Sequence, residues 1–197
     1  MAKAPSSAFG AINHTGPVAA LQRAADMLSI AGGLIAAGCI AALTLLVLSE
    51  IAVATLSKIM PVVPNSIHVG WEYSAYLMGA SFLLGAGMTL RAGLQIRVEM
   101  LMRAGHGRFA RLLEIFSSAL GSAVSAFLAY ALIQLSLRTY RFGEVSQDSF
   151  TPLWIPQAVL AFGALILALQ MIARTLSCLV GQPVDRPELG AATAIEG

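Results

Sequence analysis

The side chains able to do chemistry in this chain are few and far apart. Three histidines, His14, His68 and His106, fall in three separate polar segments, an arrangement that does not build a tetrahedral metal site. The two cysteines, Cys39 and Cys178, sit in or beside apolar stretches and form no Cys-x-x-Cys, so they read as small packing residues and not as a redox or zinc pair. There is no Ser-His-Asp set, phosphate loop or paired carboxylates. The expectation is a chain that is not an enzyme, with no catalytic, cofactor-binding or metal-binding residues. One carboxylate stands out. Glu50 is the only charge between Met27 and Ser57. Set at mid-depth in a membrane, it would be a proton-coupling group; set nearer the interface, it would face headgroups or another subunit. Both placements stay open.

The elements that must hold these residues are apolar. Of 197 residues, 57% are hydrophobic and 11% charged, whereas a soluble domain carries about 25% charged residues. The net charge of +2 and the absence of a lysine- or arginine-rich run give no footprint for nucleic acid. Four uncharged stretches occur: Met27 to Ser49, Tyr73 to Leu90, Ile115 to Leu137 and Ser149 to Ala173. Pro152 and Pro156 flank Trp154, so the last helix should start near Leu153 or Pro156, where proline suits a first turn. Backbone polar groups in lipid must be satisfied within their own segment, and the short alternating strands of a membrane barrel are absent. The expected fold is an all-α integral membrane protein with four transmembrane helices over about 27–57, 71–90, 112–137 and 153–173.

Outside these spans, residues 1–26 read as an N-terminal cytoplasmic segment and 175–197 as a flexible cytoplasmic tail. The apolar run after residue 26 is too long for a cleaved signal core. Near 17–26, Val18, Leu21, Ala25 and Leu28 alternate with Gln22, Arg23 and Asp26. That pattern fits an interfacial amphipathic helix, or equally an extension of the first span. Basic residues set the orientation. Lys3, Arg23, Arg91, Arg97, Arg103, Arg108, Arg111, Arg174 and Arg186 would share one side, leaving Lys58, Arg138 and Arg141 on the other. Both termini and the central loop are therefore expected in the cytoplasm. Small residues prepare close helix contact: Ser118, Ser122 and Ala126, and beside them Gly121, Ser125 and Ala129, at four-residue spacing; Ala161, Ala164 and Ala168; and Gly32, Gly33, Ala37 and Ala41. Gln134 and Gln170 are polar residues able to bond across helices or to meet headgroups.

The most patterned polar segment is Leu94-Gln-Ile-Arg-Val-Glu-Met-Leu101, where apolar and polar residues alternate. Arg91 and Arg97 lie near Glu99 in sequence, and salt bridges among them would fix a turn beneath the bilayer; lipid-headgroup contact is the other reading. The second span opens with Trp71, Glu72, Tyr76 and Leu77 and closes with Arg91, Gly93, Gln95, Ile96, Arg97, Val98, Glu99 and Leu101. Ser146, Pro152, Trp154 and Pro156 precede the fourth. In these residues the chain resembles the small membrane subunit of tripartite ATP-independent periplasmic (TRAP) transporters, the DctQ-like family. It departs from the family pattern in carrying Gln95 for a usual His, Glu99 for a usual Asp, and a single acidic residue after Trp71.

The resemblance implies a multi-pass subunit of the bacterial inner membrane. It would be a non-catalytic scaffold for sodium-coupled uptake of organic acids, partnered by a large permease subunit, a periplasmic substrate-binding protein and membrane lipids. Trp71, Glu72, Arg91, Gly93, Arg97, Glu99, Pro152 and Trp154 would then be structural or lipid- and subunit-contacting residues. Lys58, His68, Arg138, Arg141, Glu144 and Asp148, grouped by side alone, would be available to the binding protein. The competing reading is an autonomous four-helix, proton-coupled exporter of small molecules working through Glu50.

Overall fold

The computed structural model describes residues 17–60, 62, 64–67, 69–92 and 108–180. Among the described residues the chain forms four α-helices: α1 (Pro17–Ile59), α2 (Gly70–Arg91), α3 (Arg108–Phe142) and α4 (Trp154–Val180). Strand pairing there is limited to an isolated bridge between Val145 and Pro152. Three segments, Ala20–Ile59, Ile115–Phe142 and Trp154–Val180, are long and apolar enough to cross a membrane. α2 is not among them; its tyrosines, serines and glycines dilute its leucines.

Local sequence accounts for the helix ends. Pro17 opens α1, and Pro156 lies in the first turn of α4, where a missing N–H costs no intrahelical bond. α1 is helical without a break across the junction between the expected surface segment and the first span. At 43 residues and about 1.5 Å per residue it is roughly 64 Å long, well beyond a hydrocarbon core of about 30 Å. α4 continues past Ala173 to Val180, so residues 175–180, expected from sequence to begin a tail, are helical.

Named contacts set the helix directions. Asp26 near the start of α1 meets Arg91 at the end of α2, and Glu50 lies against Gly70 at its beginning; these two helices are antiparallel. Ser29 meets Gln170, and Gln22 meets Ser177, so α1 and α4 are antiparallel and α2 runs parallel to α4. α3 packs on α4, antiparallel to it, with Ser118 against Thr175 and Ser136 against the Trp154 carbonyl.

The bundle is tightest around Leu84, which is 2% exposed and surrounded by Ala36, Ala80 and Ile166. A Cβ on Gly163 would lie 2.9 Å from the carbonyl carbon of Leu83, and one on Gly32 would lie 2.7 Å from the carbonyl oxygen of Leu84. Both outer helices thus touch the α2 backbone at one level, a closeness that lipid-embedded helices obtain from small residues. A second cluster joins α3 to α4 through Ala129, Ala164 and Ala168.

The inward row of α1 is Ala25, Ser29, Gly32 and Ala36, at helical spacing. Ala37 and Ala41 turn outward, as does Ala126 on α3. Ala161, Ala164 and Ala168 are all buried. Gly163→Ala should therefore destabilise the fold by about 1–3 kcal/mol through overpacking. A Cβ added at Gly38 would meet nothing within 4 Å, so this position should tolerate Ala with no loss, or a gain of up to about 1 kcal/mol from helix propensity. Thermal unfolding of the two variants in detergent compares them directly.

Candidate functional site: polar clusters at the two ends of the bundle

The end of the bundle formed by the start of α1 and the ends of α2 and α4 holds a buried polar network. Arg91 is 5% exposed and its Nε lies 3.0 Å from Asp26 Oδ1, with Nη2 donating to Oδ2 at 3.4 Å. Gln22 Nε2 donates to Asp26 Oδ1 at 2.8 Å, and Gln170 Nε2 donates to the same oxygen at 3.2 Å. Ser29 Oγ donates to Gln170 Oε1, and Ser177 Oγ donates to Gln22 Oε1. Arg174, also buried, donates to the Leu90 carbonyl at 3.4 Å, in the last turn of α2. One carboxylate therefore collects donors from α1, α2 and α4.

The signal for this network is in the sequence. Gln22, Asp26 and Ser29 stand at i, i+4 and i+7, and Gln170, Arg174 and Ser177 repeat that spacing, so each set occupies one helix face. The amphipathic reading of residues 17–28 puts Gln22 and Asp26 on the solvent side. In the structure both are buried, while Met27 is 73% exposed. Of the two span glutamines, Gln170 bonds across helices, whereas Gln134 is exposed. Arg91 meets Asp26; Arg97 and Glu99, expected from sequence to hold a turn with it, and Gly93 of the same motif lie outside the described residues.

The opposite end carries a clip that joins α2 to the segment between α3 and α4. Glu72, 5% exposed, accepts a hydrogen bond from the Tyr76 hydroxyl, with Ser146 and Ser149 beside its carboxylate. The Tyr73 hydroxyl pairs with Thr151 Oγ1 at 2.9 Å. The connecting segment is closed by Ser146 N–H to the Thr151 carbonyl and Leu153 N–H to the Glu144 carbonyl. It turns through Gly143 at φ 62° and Phe150 at φ 54°. The left-handed region is open to glycine, while the bulky Phe150 holds it against a steric cost. The Trp-Glu motif and the Ser…Pro-x-Trp motif are thus halves of one structure.

Trp71, Pro152 and Trp154 lie at this end, with Trp154 edge-on to Tyr140 at 5.5 Å between ring centroids. Lys58, Arg138, Arg141, Glu144 and Asp148 are all exposed at this same end, and the Arg138 guanidinium lies 5.9 Å from the centre of the Phe142 ring. His68 falls outside the described residues. The half-buried Glu50 carboxylate rests against Gly70, so close that a Cβ there would overlap it. This places Glu50 level with the first residue of α2, where the positive end of the helix dipole favours an anion. Among the described residues no cluster of three or more His, Cys, Asp and Glu side chains is arranged to hold a metal ion.

A family model for the DctQ component of tripartite ATP-independent periplasmic transporters matches residues 43–181. The chain belongs to this family. Family membership makes it the small permease component of a TRAP transporter. The match takes in both halves of the clip and Arg91, Gln170 and Arg174, while Gln22, Asp26 and Ser29 precede it. No curated protein and no solved structure matches this DctQ-family chain.

Breaking a buried ion pair from one side costs about 3–5 kcal/mol, because the other charge is stranded. Asp26→Ala should lower stability by roughly that amount, and Asp26→Leu combined with Arg91→Met should recover at least about half of it. A double-mutant cycle of Asp26→Leu, Arg91→Met and the pair, on thermal or denaturant unfolding of the purified chain, reads the coupling.

Proposed function

We propose that this small permease component is a non-catalytic scaffold in a sodium-coupled transporter that takes up organic acids. Its partners in this reading are a large permease subunit, which carries the moving solute and sodium sites, and a periplasmic binding protein that delivers the solute. The observation that carries the reading is the bare middle of the bundle. Residues 27–49, 73–90, 115–137 and 154–173 contain no Asp, Glu, Lys, Arg or His. Solute and ion pathways draw on intramembrane ionisable groups or broken helices. Here ionisable groups cluster at the two ends and the helices run unbroken, which suits a brace. Glu50, at the level of the first residue of α2, is placed poorly for a mid-membrane proton site.

In this reading α2 is a fourth span. Its 22 residues extend about 33 Å, with α1 and α4 against it from Gly70 to Arg91. Its small and hydroxyl-bearing residues face neighbours more than lipid. Both termini and the segment 93–107 lie in the cytoplasm of a bacterium, by the excess of arginine there, and the clip end faces the periplasm. The apolar outer faces of α1 and α3, where Leu34, Leu45, Phe116 and Phe127 are exposed, meet lipid and the large subunit. Co-expression of this chain with the large permease subunit and binding protein of its transporter tests the assignment. The two membrane chains should co-purify in fixed stoichiometry, and uptake should be lost when this chain is omitted. A large subunit that is stable and active without it would refute the role.

A further inference from the structure

Exposed aromatic rings gather at the clip end, at about one level. Trp71 stands in the first turn of α2 and Trp154 in the first turn of α4; the two helices run parallel, with Gly79 of one against Leu160 of the other. Trp154 meets Tyr140 of α3 edge-on. Phe150 precedes Thr151, whose hydroxyl pairs with that of Tyr73, so the connecting segment brings Phe150 to the level of the first turn of α2. Trp71, Tyr140, Phe150 and Trp154 are all exposed. At the opposite end α1, α2 and α4 hold no aromatic residue over 17–30, 86–92 and 172–180. Among the described residues Phe150 is the only non-glycine with a positive φ, at 54°, a conformation that a bulky residue takes at a steric cost. Its ring is 75% exposed, so packing within the chain does not offset that cost.

We propose that Phe150, with the rings level with it, anchors the clip in the headgroup layer of the membrane, its partner being the lipid surface itself; the inference rests on the reading of α2 as a fourth span. On that reading the uncharged run of α2 begins at Tyr73, so the first turn of α2 and the ring of Phe150 stand where hydrocarbon gives way to headgroups. Tryptophan and tyrosine join an apolar body to a polar tip and concentrate at that layer. Arg138 and Arg141, exposed near the end of α3, suit lipid phosphates at the same place. The clip ties the connecting segment to α2 through Tyr73 and Glu72, so a ring held in lipid on that segment sets the depth of α2 as well.

Trp71 and Trp154 are the two tryptophans of the chain, so Trp71→Phe with Trp154→Phe gives a full-length background without indole. Phe150→Trp in that background puts one indole in the clip, and Phe82→Trp puts one at an exposed position in the middle of α2. Each variant is reconstituted in vesicles of phosphatidylethanolamine and phosphatidylglycerol. Its emission is quenched by lipid brominated high on the acyl chain, by lipid brominated near the chain end, or by iodide in the water. The Phe150→Trp indole should be quenched severalfold more by the shallow bromines than by the deep ones or by iodide, and the Phe82→Trp indole most by the deep bromines. Quenching of the Phe150→Trp indole by iodide alone would overturn the anchor. Loss of its bromine quenching when the large subunit and binding protein are added would make a protein the occupant and overturn lipid. Absence of deep quenching of the Phe82→Trp indole would instead count against α2 as a span. Phe150→Gly removes ring and strain together, so its unfolding temperature in detergent should hold or rise; a lower one would assign the ring to the packing of the fold and overturn the anchor.

Discussion

Three helices of this bundle are registered on one buried ion pair. Asp26 enters from α1 and Arg91 from α2, and Gln170 of α4 completes the set on the same carboxylate. In a medium of low polarity neither charge can be left alone, so the three helices have one axial register that satisfies both. Net stabilisation by such a pair is modest, because desolvation offsets most of the attraction; its value lies in selecting one arrangement over its neighbours. A slip of one turn on α1 would move Asp26 away from Arg91 by about 5.4 Å and would carry Gly32 off the Leu84 backbone. The ion pair and the close backbone contact therefore specify the same register.

The opposite end is fixed by different means. There the carboxylate of Glu72 and the hydroxyls of Tyr73 and Tyr76 hold a short connecting segment across the mouth of the bundle. Glu50 lies nearby against Gly70. Between these ends the helices meet through glycine, alanine and serine, with Ser118 and Ser122 both reaching Thr175. Polar bonds at two ends and small residues between them leave the middle of the helices without charged groups. That division suits the scaffold role proposed above.

Much of this is legible in the sequence, and what is not has a physical cause. Long uncharged runs announce membrane helices directly, because hydrocarbon excludes charge. The row Ala161, Ala164 and Ala168 is readable as a contact face, because small residues let lipid-embedded helices approach closely. The inner network escapes a rule made for water. Residues 17–28 look like a surface helix with Gln22, Arg23 and Asp26 outward, but Gln22 and Asp26 turn inward together with Ala25, and Arg23, Met27 and Leu28 are left outside. The clip shows its two halves as separate motifs. Tyr73 and Thr151 are 78 residues apart, and nothing local in either motif says that they touch.

On the scaffold proposal, this chain supports transport and does not perform it. Reconstitution decides the point: the purified full-length chain is placed in proteoliposomes, without other subunits, under an inward sodium gradient and with the organic acid that its complete transporter accumulates. Sodium-dependent uptake should be indistinguishable from that of empty vesicles, and uptake should appear when the large subunit and binding protein are included. Saturable, sodium-dependent accumulation by this chain alone would contradict the proposal.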